Sequence, residues 1–250
     1  RYLFRTAASS TGQAASIAEF IRAQNYSRPA ALYSRDAYGE PIREAVQKQL
    51  DSRGLSFVAA EGFQTGDTDF VPQMLKLRAA KPDVVLLIGY LREQGIQIRQ
   101  ARELGIASAL VATASATPAI KEIVPRDALV GLYVITSLQG DEESPKFHWF
   151  RDKLRKRYPD VARQPGQPNW HVLSAYGATR LFVEAVEKVG RDLTREKLIQ
   201  ALETIQDYDT GIHAVPITFT PTDHEGMKGA GFLQYNKNLD RIFIKAVSYR

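Results

Sequence analysis

Apolar residues fall into helical spacing early in the chain. Ala14, Ile17, Ala18 and Ile21 share one face, and Ser9 and Ser10 precede them as candidate N-caps. The period then changes. Pro29 introduces a short apolar strand at 30–33. Ile42, Ala45, Val46 and Leu50 return to helical spacing, with Pro41 in the first turn and Gly54 past the last. Residues 55–60 read as the next strand. Gly66-Asp67-Thr68-Asp69 turns into a helix carrying Val71, Met74, Leu75 and Arg78. Val84–Ile88 is a continuous aliphatic run, which suits a strand buried on both faces of a parallel sheet. A helix over 93–104 stops at Gly105, a residue that accepts the left-handed turn closing a helix. A strand at 109–112, a short helix from Pro118 and an extended run at 129–136 follow.

The pattern changes after residue 136. A polar, breaker-rich stretch at 139–145 leads into three helices, at 145–158, 170–189 behind an Asn169 cap, and 194–204. A proline-rich loop, 159–168, separates the first two. Residues 217–220 read as a strand. A hairpin pairs 232–236 with 241–247 around Lys237-Asn238. Strand–helix alternation with buried aliphatic strands predicts an α/β fold built on a parallel sheet. Small ligands of such sheets sit beyond the carboxyl ends of the strands, where strand order reverses. The segments to inspect are therefore 34–38, 89–91 and 113–115.

Composition narrows the function. With 250 residues, 44% hydrophobic and 24% charged, the chain can form one large or two small soluble domains. Its longest apolar run is too short to span a bilayer. The net charge of +5 comes from basic residues interspersed with acids. The one dense cluster, Lys153 to Arg157, reads as a solvated helix end favoured by the helix dipole, so no nucleic-acid partner is expected. Cysteine is absent, which excludes disulfides, thiolate metal sites and cysteine nucleophiles. No dinucleotide fingerprint, phosphate loop, zinc motif or nucleophile elbow occurs. His148, His171, His213 and His224 lack metal-ligand spacing. Asp67 and Asp69 fit a turn and a helix start better than a catalytic carboxylate pair. The expectation is a binding protein rather than an enzyme, with no cofactor and no metal. Tyr38 and Tyr90, each just past a predicted strand end, are its first candidate ligand contacts; the alternative for each is a half-buried packing tyrosine.

Several stretches, in order, resemble the Leu/Ile/Val-binding type of periplasmic solute-binding protein, which serves branched-chain amino acid ABC transporters. They are Tyr2-Leu3-Phe4-Arg5-Thr6, Asp36-Ala37-Tyr38-Gly39, Gly66-Asp67-Thr68-Asp69-Phe70, residues 82–90 followed by 95–105, and Phe219-Thr220-Pro221-Thr222-Asp223-His224-Glu225-Gly226. The resemblance implies a type I periplasmic-binding-protein fold: two α/β lobes with parallel, doubly wound sheets, joined by three crossovers and closing over a small ligand. One lobe would comprise 4–137 and 229–250. The other would be represented by 138–228, its first strand–helix units lying before Arg1. Hinges are expected at 5–8, 136–139 and 228–231. The first of these overlaps residues 2–6, a stretch read as part of a domain and not as a secretory signal. An isolated chain of this extent would show apolar surface on helix 170–189 and bind ligand weakly.

The resemblance also implies a site. The two binding tyrosines fall on Tyr38 and Tyr90, and the lobe-bridging aromatic falls on His171, beside Trp170. Two acids that receive the α-ammonium of amino acids fall on Ser10 and Ala114. An ammonium buried without an acidic partner costs about 3–5 kcal/mol, roughly a 100-fold to several thousand-fold loss of affinity. The expected ligand is therefore a branched-chain amino acid or a related small carboxylate or amide, with those lacking an ammonium favoured. His171 would be the carboxylate or hydroxyl partner. Thr113, Ser115 and nearby carbonyls are the alternative holders of an ammonium. The implied partner is an ABC transporter permease. The implied location is the periplasm or the outer side of the membrane, and the implied state is a monomer. A sensory ligand-binding domain on the same fold is the second reading.

Overall fold

The computed structural model describes residues 2–141, 144–163 and 168–249. Arg1, Glu142, Glu143, residues 164–167 and Arg250 lie outside them, and with them parts of the expected breaker stretch and proline-rich loop and the last residue of the expected 229–250 segment. Helix α1 (Ser10–Ala23) starts where Ser9 accepts a bond from the Gly12 N–H at 3.1 Å. Strand β1 (Pro29–Ser34), helix α2 (Gly39–Asp51), β2 (Ala59–Phe63), α3 (Val71–Ala79), β3 (Val84–Ile88), α4 (Leu91–Glu103), β4 (Ala109–Ala112), α5 (Arg126–Leu129) and β5 (Tyr133–Thr136) follow. Helices α6 (His148–Arg157), α7 (Pro159–Ala162), α8 (Trp170–Val189) and α9 (Arg195–Glu203) come next. Strands β6 (Gly229–Tyr235) and β7 (Arg241–Ser248) close the chain.

The seven strands form one sheet in the order β2-β1-β3-β4-β5-β6-β7. The first five are parallel, and β6 and β7 form an antiparallel hairpin beside β5. Period-two alternation divides β3 between two cores. Val85 and Leu87 pack with α3 and α4, whereas Val84, Leu86 and Ile88 pack with α1 and α2. Both faces are therefore covered, and the strand order reverses at β1 and β3. Burial of this kind contributes about 25 cal/mol per Å² of apolar surface.

Residues 138–227 pack separately from that sheet. Leu181, Ile205, Val215, Ile217, Phe219 and Met227 form one cluster; Leu138, Phe147, Phe150, Leu173 and Ile212 form another. Phe4 joins the first, edge-on to Phe219 at 5.0 Å and stacked on His224 at 3.9 Å. Three chain passages run side by side where the two parts meet. The Arg5 N–H donates to His224 O, the Gly226 N–H donates to Arg5 O, and Thr136 pairs with Gly231. On α8, Phe182 is 50% and Val183 45% exposed, an apolar pair on an outer face that also carries Thr179, Arg180, Glu187 and Lys188. The basic run of α6 lies in its last turn, where it complements the helix dipole.

Four expectations are corrected. The strand expected at 55–60 begins at Ala59 instead. Gly54 takes a positive φ of 72°, and the Leu55 N–H donates back to Leu50 O. Leu55 and Phe57 thus pack as the C-terminal closure of α2, and their hydrophobicity serves that contact. The extended run at 129–136 is divided by Gly131, at φ 81°, so β5 starts at Tyr133. Part of the loop expected at 159–168 is the short helix α7, with Pro159 at its first position. Residues 217–220 make only isolated bridges, Ile217 to Tyr208 and Met227, and Thr220 to Asp223. Pro216 and Pro221 flank them and supply no N–H for a longer ladder.

Candidate functional site

The site begins with one carboxylate. Asp36 follows the end of β1, and its Oδ1 accepts from the Tyr38 N–H at 2.9 Å, the Gly39 N–H at 2.8 Å and the Ser34 hydroxyl at 3.0 Å. Its Oδ2 accepts from the Thr65 hydroxyl at 2.6 Å. Burial opposes its charge, but those four donors outweigh burial and hold its pKa down at about 2. The pKa of Tyr90 is raised, by burial first and by the charge of the nearby Asp36 carboxylate second. Asp36 therefore shapes the loop that starts α2 and places the Tyr38 ring. Tyr38 and Tyr90 stack with centroids 5.2 Å apart. The Tyr38 hydroxyl lies 3.3 Å from Ser115 Oγ, beyond the end of β4.

We expect Asp36→Ala to lower stability by about 2 kcal/mol at neutral pH through donors left without an acceptor, with Asp36→Asn losing less. Urea unfolding of the two variants beside the parent checks this; a loss under about 0.5 kcal/mol would show that the loop is held by other contacts.

Tyr38 borders a cleft of about 990 Å³ between the sheet's carboxyl ends and the helices of residues 145–189. Ala114, Ser115 and Ala119 continue the sheet-side wall, and Ala7, Ala8 and Gln13 join it from the start of α1. Ile135, Thr136 and Ser137 line the passage out of β5. Arg151 of α6 and Asn169, Trp170 and His171 at the start of α8 stand across from Tyr38. Asn169 caps α8 by accepting from the Val172 N–H at 3.1 Å. The Trp170 indole N–H donates to Ser137 Oγ, tying α8 to the passage from β5. The Arg151 guanidinium donates to Ser144 O at 2.8 Å. No cluster of three or more metal-ligating side chains occurs among the described residues.

Of the residues singled out from sequence, Tyr38, Ala114, Ser115, Trp170 and His171 lie on this wall. Tyr90 stands behind Tyr38 and is not on it. Ser10 is exposed in the first turn of α1, and the side chain that α1 sends to the cleft is Gln13, one turn on. Thr113 turns inward, 2% exposed, with its hydroxyl 2.6 Å from Gln94 Nε2 and 3.4 Å from Gly89 O. Sequence reading missed Gln13 and Arg151. Arg151 sits beside the buried Phe147, Phe150 and Leu154 stripe of α6, and that position was the available signal.

Comparison with known proteins gives a consistent picture. The family model described as "Periplasmic binding protein" matches residues 1–240. The Leucine-, isoleucine-, valine-, threonine-, and alanine-binding protein of Pseudomonas aeruginosa is 28% identical over 204 residues, covering 81% of this chain and 52% of that protein. The chain spans about half the length of the curated relatives it matches. Among solved structures, a putative branched-chain amino acid ABC transporter from Rhodospirillum rubrum superposes with a TM-score of 0.83 at 20% identity, over 96% of this chain and 67% of that one. A branched chain amino acid ABC transporter from Thermus thermophilus with bound valine gives 0.76 at 19% identity, over 99% and 68%.

Proposed function

Because the chain belongs to the periplasmic binding protein family, we propose that it is the larger part of an extracytoplasmic solute-binding protein. The protein would deliver a small ligand to an ABC transporter permease without chemical change. Its ligand class is that of branched-chain amino acids and related small carboxylates or amides. One lobe comprises 4–137 and 229–250, and 138–228 belongs to the other. The observation that carries the reading is the position of the cleft. It opens beyond the carboxyl ends of β1 and β4, next to the strand-order reversal, and faces helices that pack as a separate group.

The three adjacent passages, near Arg5, Thr136 and Gly231, act as the hinge. A ligand that touches both Tyr38 and the start of α8 stabilises the closed form by its extra contacts there. Among the described residues no helix is long and apolar enough to cross a membrane. Tyr38 and His171 are the proposed ligand contacts, with Tyr90 stacked behind Tyr38 as its support; Ala114 lines the wall, and Ser10 acts only as part of the helix start.

A thermal-shift screen of the whole protein against amino acids, small carboxylates and amides tests the proposal. A true ligand at about 100 times its Kd adds about 2.7 kcal/mol, a rise of a few degrees in Tm. It should be recovered unconsumed. Ligand turnover, or no shift across the panel, would overturn the reading.

A further inference from the structure

Helix α6 carries its charge on an open face. Lys153, Arg155, Lys156 and Arg157 are all exposed, as are Asp152, Tyr158 and Asp160 around them. Arg155 lies 3.5 Å from Asp152, an exposed pair that solvent screens. Lys156 and Arg157 have no acidic partner among the described residues. With Glu142 and Glu143 counted, residues 142–163 hold seven Lys or Arg against four Asp or Glu, so the stretch is cationic with both glutamates included. The helix dipole favours cations in the last turn, Arg155 to Arg157. It does not reach Lys153, and it does not explain the aromatic rings beside the charges.

Trp149 is 38% and Tyr158 57% exposed, although tryptophan is highly buried on average. Neither the Trp149 indole N–H nor the Tyr158 hydroxyl has a hydrogen-bond partner among the described residues. Trp149, Lys153 and Lys156 stand at i, i+4 and i+7 and share one face of α6, opposite the buried Phe150 and Leu154. The Lys153 ammonium lies over the Trp149 ring, 5.4 Å from its centroid, and Tyr176 of α8 meets that ring edge-on at 5.4 Å. The indole is thus held at the surface from two sides. Cations interleaved with amphipathic rings fit one partner chemistry. At a bilayer surface, lysine and arginine meet anionic headgroups, while tryptophan and tyrosine place an apolar ring at the boundary and a polar tip in water. A soluble polyanion takes the cations alone; a bilayer interface takes cations and rings together. We propose that the outer face of α6 is a membrane-docking surface for anionic phospholipids. Lys153, Arg155, Lys156 and Arg157 meet the headgroups, and Trp149 and Tyr158 enter the headgroup layer. The contact is weak and reversible, because the apolar face of the helix stays in the protein core. It goes beyond the solute-binding reading and does not depend on which solute the cleft holds.

Co-sedimentation of the whole protein with lipid vesicles tests it. Vesicles of equimolar phosphatidylcholine and phosphatidylglycerol should bind it at least about 10-fold more strongly than phosphatidylcholine alone, and added salt should release it. Each cation near an anionic surface is worth about a five-fold change in affinity. Lys153→Gln combined with Lys156→Gln and Arg157→Gln should therefore weaken binding roughly 100-fold. The same charge removed from exposed positions elsewhere, as Lys48→Gln with Arg126→Gln and Lys237→Gln, should weaken it far less. Lys156→Glu alone, a single exposed change, should cost about 20-fold and keeps the test open if the triple variant folds poorly. The shift of indole emission on binding should be largely lost in Trp149→Phe. Equal binding to the two kinds of vesicle, no binding to either, or equal losses in the two triple variants overturns the inference. Binding to polyglutamate without binding to anionic vesicles also overturns it, in favour of an acidic protein partner. None of these outcomes touches the solute-binding reading.

Discussion

Gly39→Ala is expected to destabilise the protein by about 3 kcal/mol, at the top of the range for overpacking. A Cβ at Gly39 would lie 2.2 Å from Ser34 O, 2.3 Å from Ser34 Oγ and 2.8 Å from Ser34 N. Two of those atoms are backbone at the last residue of β1, which is held in register opposite Phe63. Ser34 cannot move without breaking that pairing, so α2 has to move. Alanine's better helix propensity, at most about 1 kcal/mol in a helix interior, is too small to compensate. The shift would also pull the Tyr38 and Gly39 N–H groups away from Asp36 and unstack the tyrosine pair. Urea unfolding gives the stability, and ligand titration should show a parallel loss of affinity. A variant within about 1 kcal/mol of the parent would show that the β1–α2 junction yields easily.

Acid should remove a comparable amount of stability through a different residue. His213 is 1% exposed, with Thr210 Oγ1 at 2.9 Å from its Nδ1 and no partner for Nε2 among the described residues. It lies against Gly177 of α8, and Arg180 of the same helix donates to Thr210 O at 3.0 Å. Burial therefore pushes its pKa from 6.5 down to about 4. Between those values the unfolded chain takes up a proton that the folded chain refuses. Stability is complete above pH 6.5, falls as pH drops toward 4 and then levels off for this group, a total of about 3 kcal/mol. Asp36, with its pKa near 2, releases its contribution at lower pH. Unfolding free energies at pH 7.5 and 4.5 should differ by most of that amount in the parent and far less in His213→Gln. Equal differences in both proteins would assign the acid sensitivity to other groups.

The fold was legible in the sequence where burial is two-sided or a cap is local. Val84–Ile88 could hardly be anything but a central strand, and Ser9, Asn169 and Thr194 cap helices as their residue types indicate. Legibility failed where tertiary contact decides. Leu55 and Phe57 look like strand residues, yet they close a helix. The edge strand β2 contains the less telling Ala-Ala-Glu-Gly-Phe. In the candidate site, residues just past strand ends were traceable because topology places them. Side chains contributed by helices were not, because a helix presents a different residue every 100° or so of turn. One turn of axial rise separates Ser10 from Gln13, and rotation put Arg151 on the wall while its basic neighbours face solvent.

The cleft wall includes Ala7, Ala8, Ala114, Ala119 and Ala230. Apart from glycine, no substitution at these five positions can enlarge the space; every other residue reduces it. Change in selectivity through these five positions is therefore directional. Single mutations there can cut the cavity down toward smaller or more polar ligands, each from a different side. Room for a bulkier ligand has to come from truncating larger wall side chains such as Ile135 or Met227. A library confined to these alanines should yield variants that narrow the range of accepted ligands and few that broaden it.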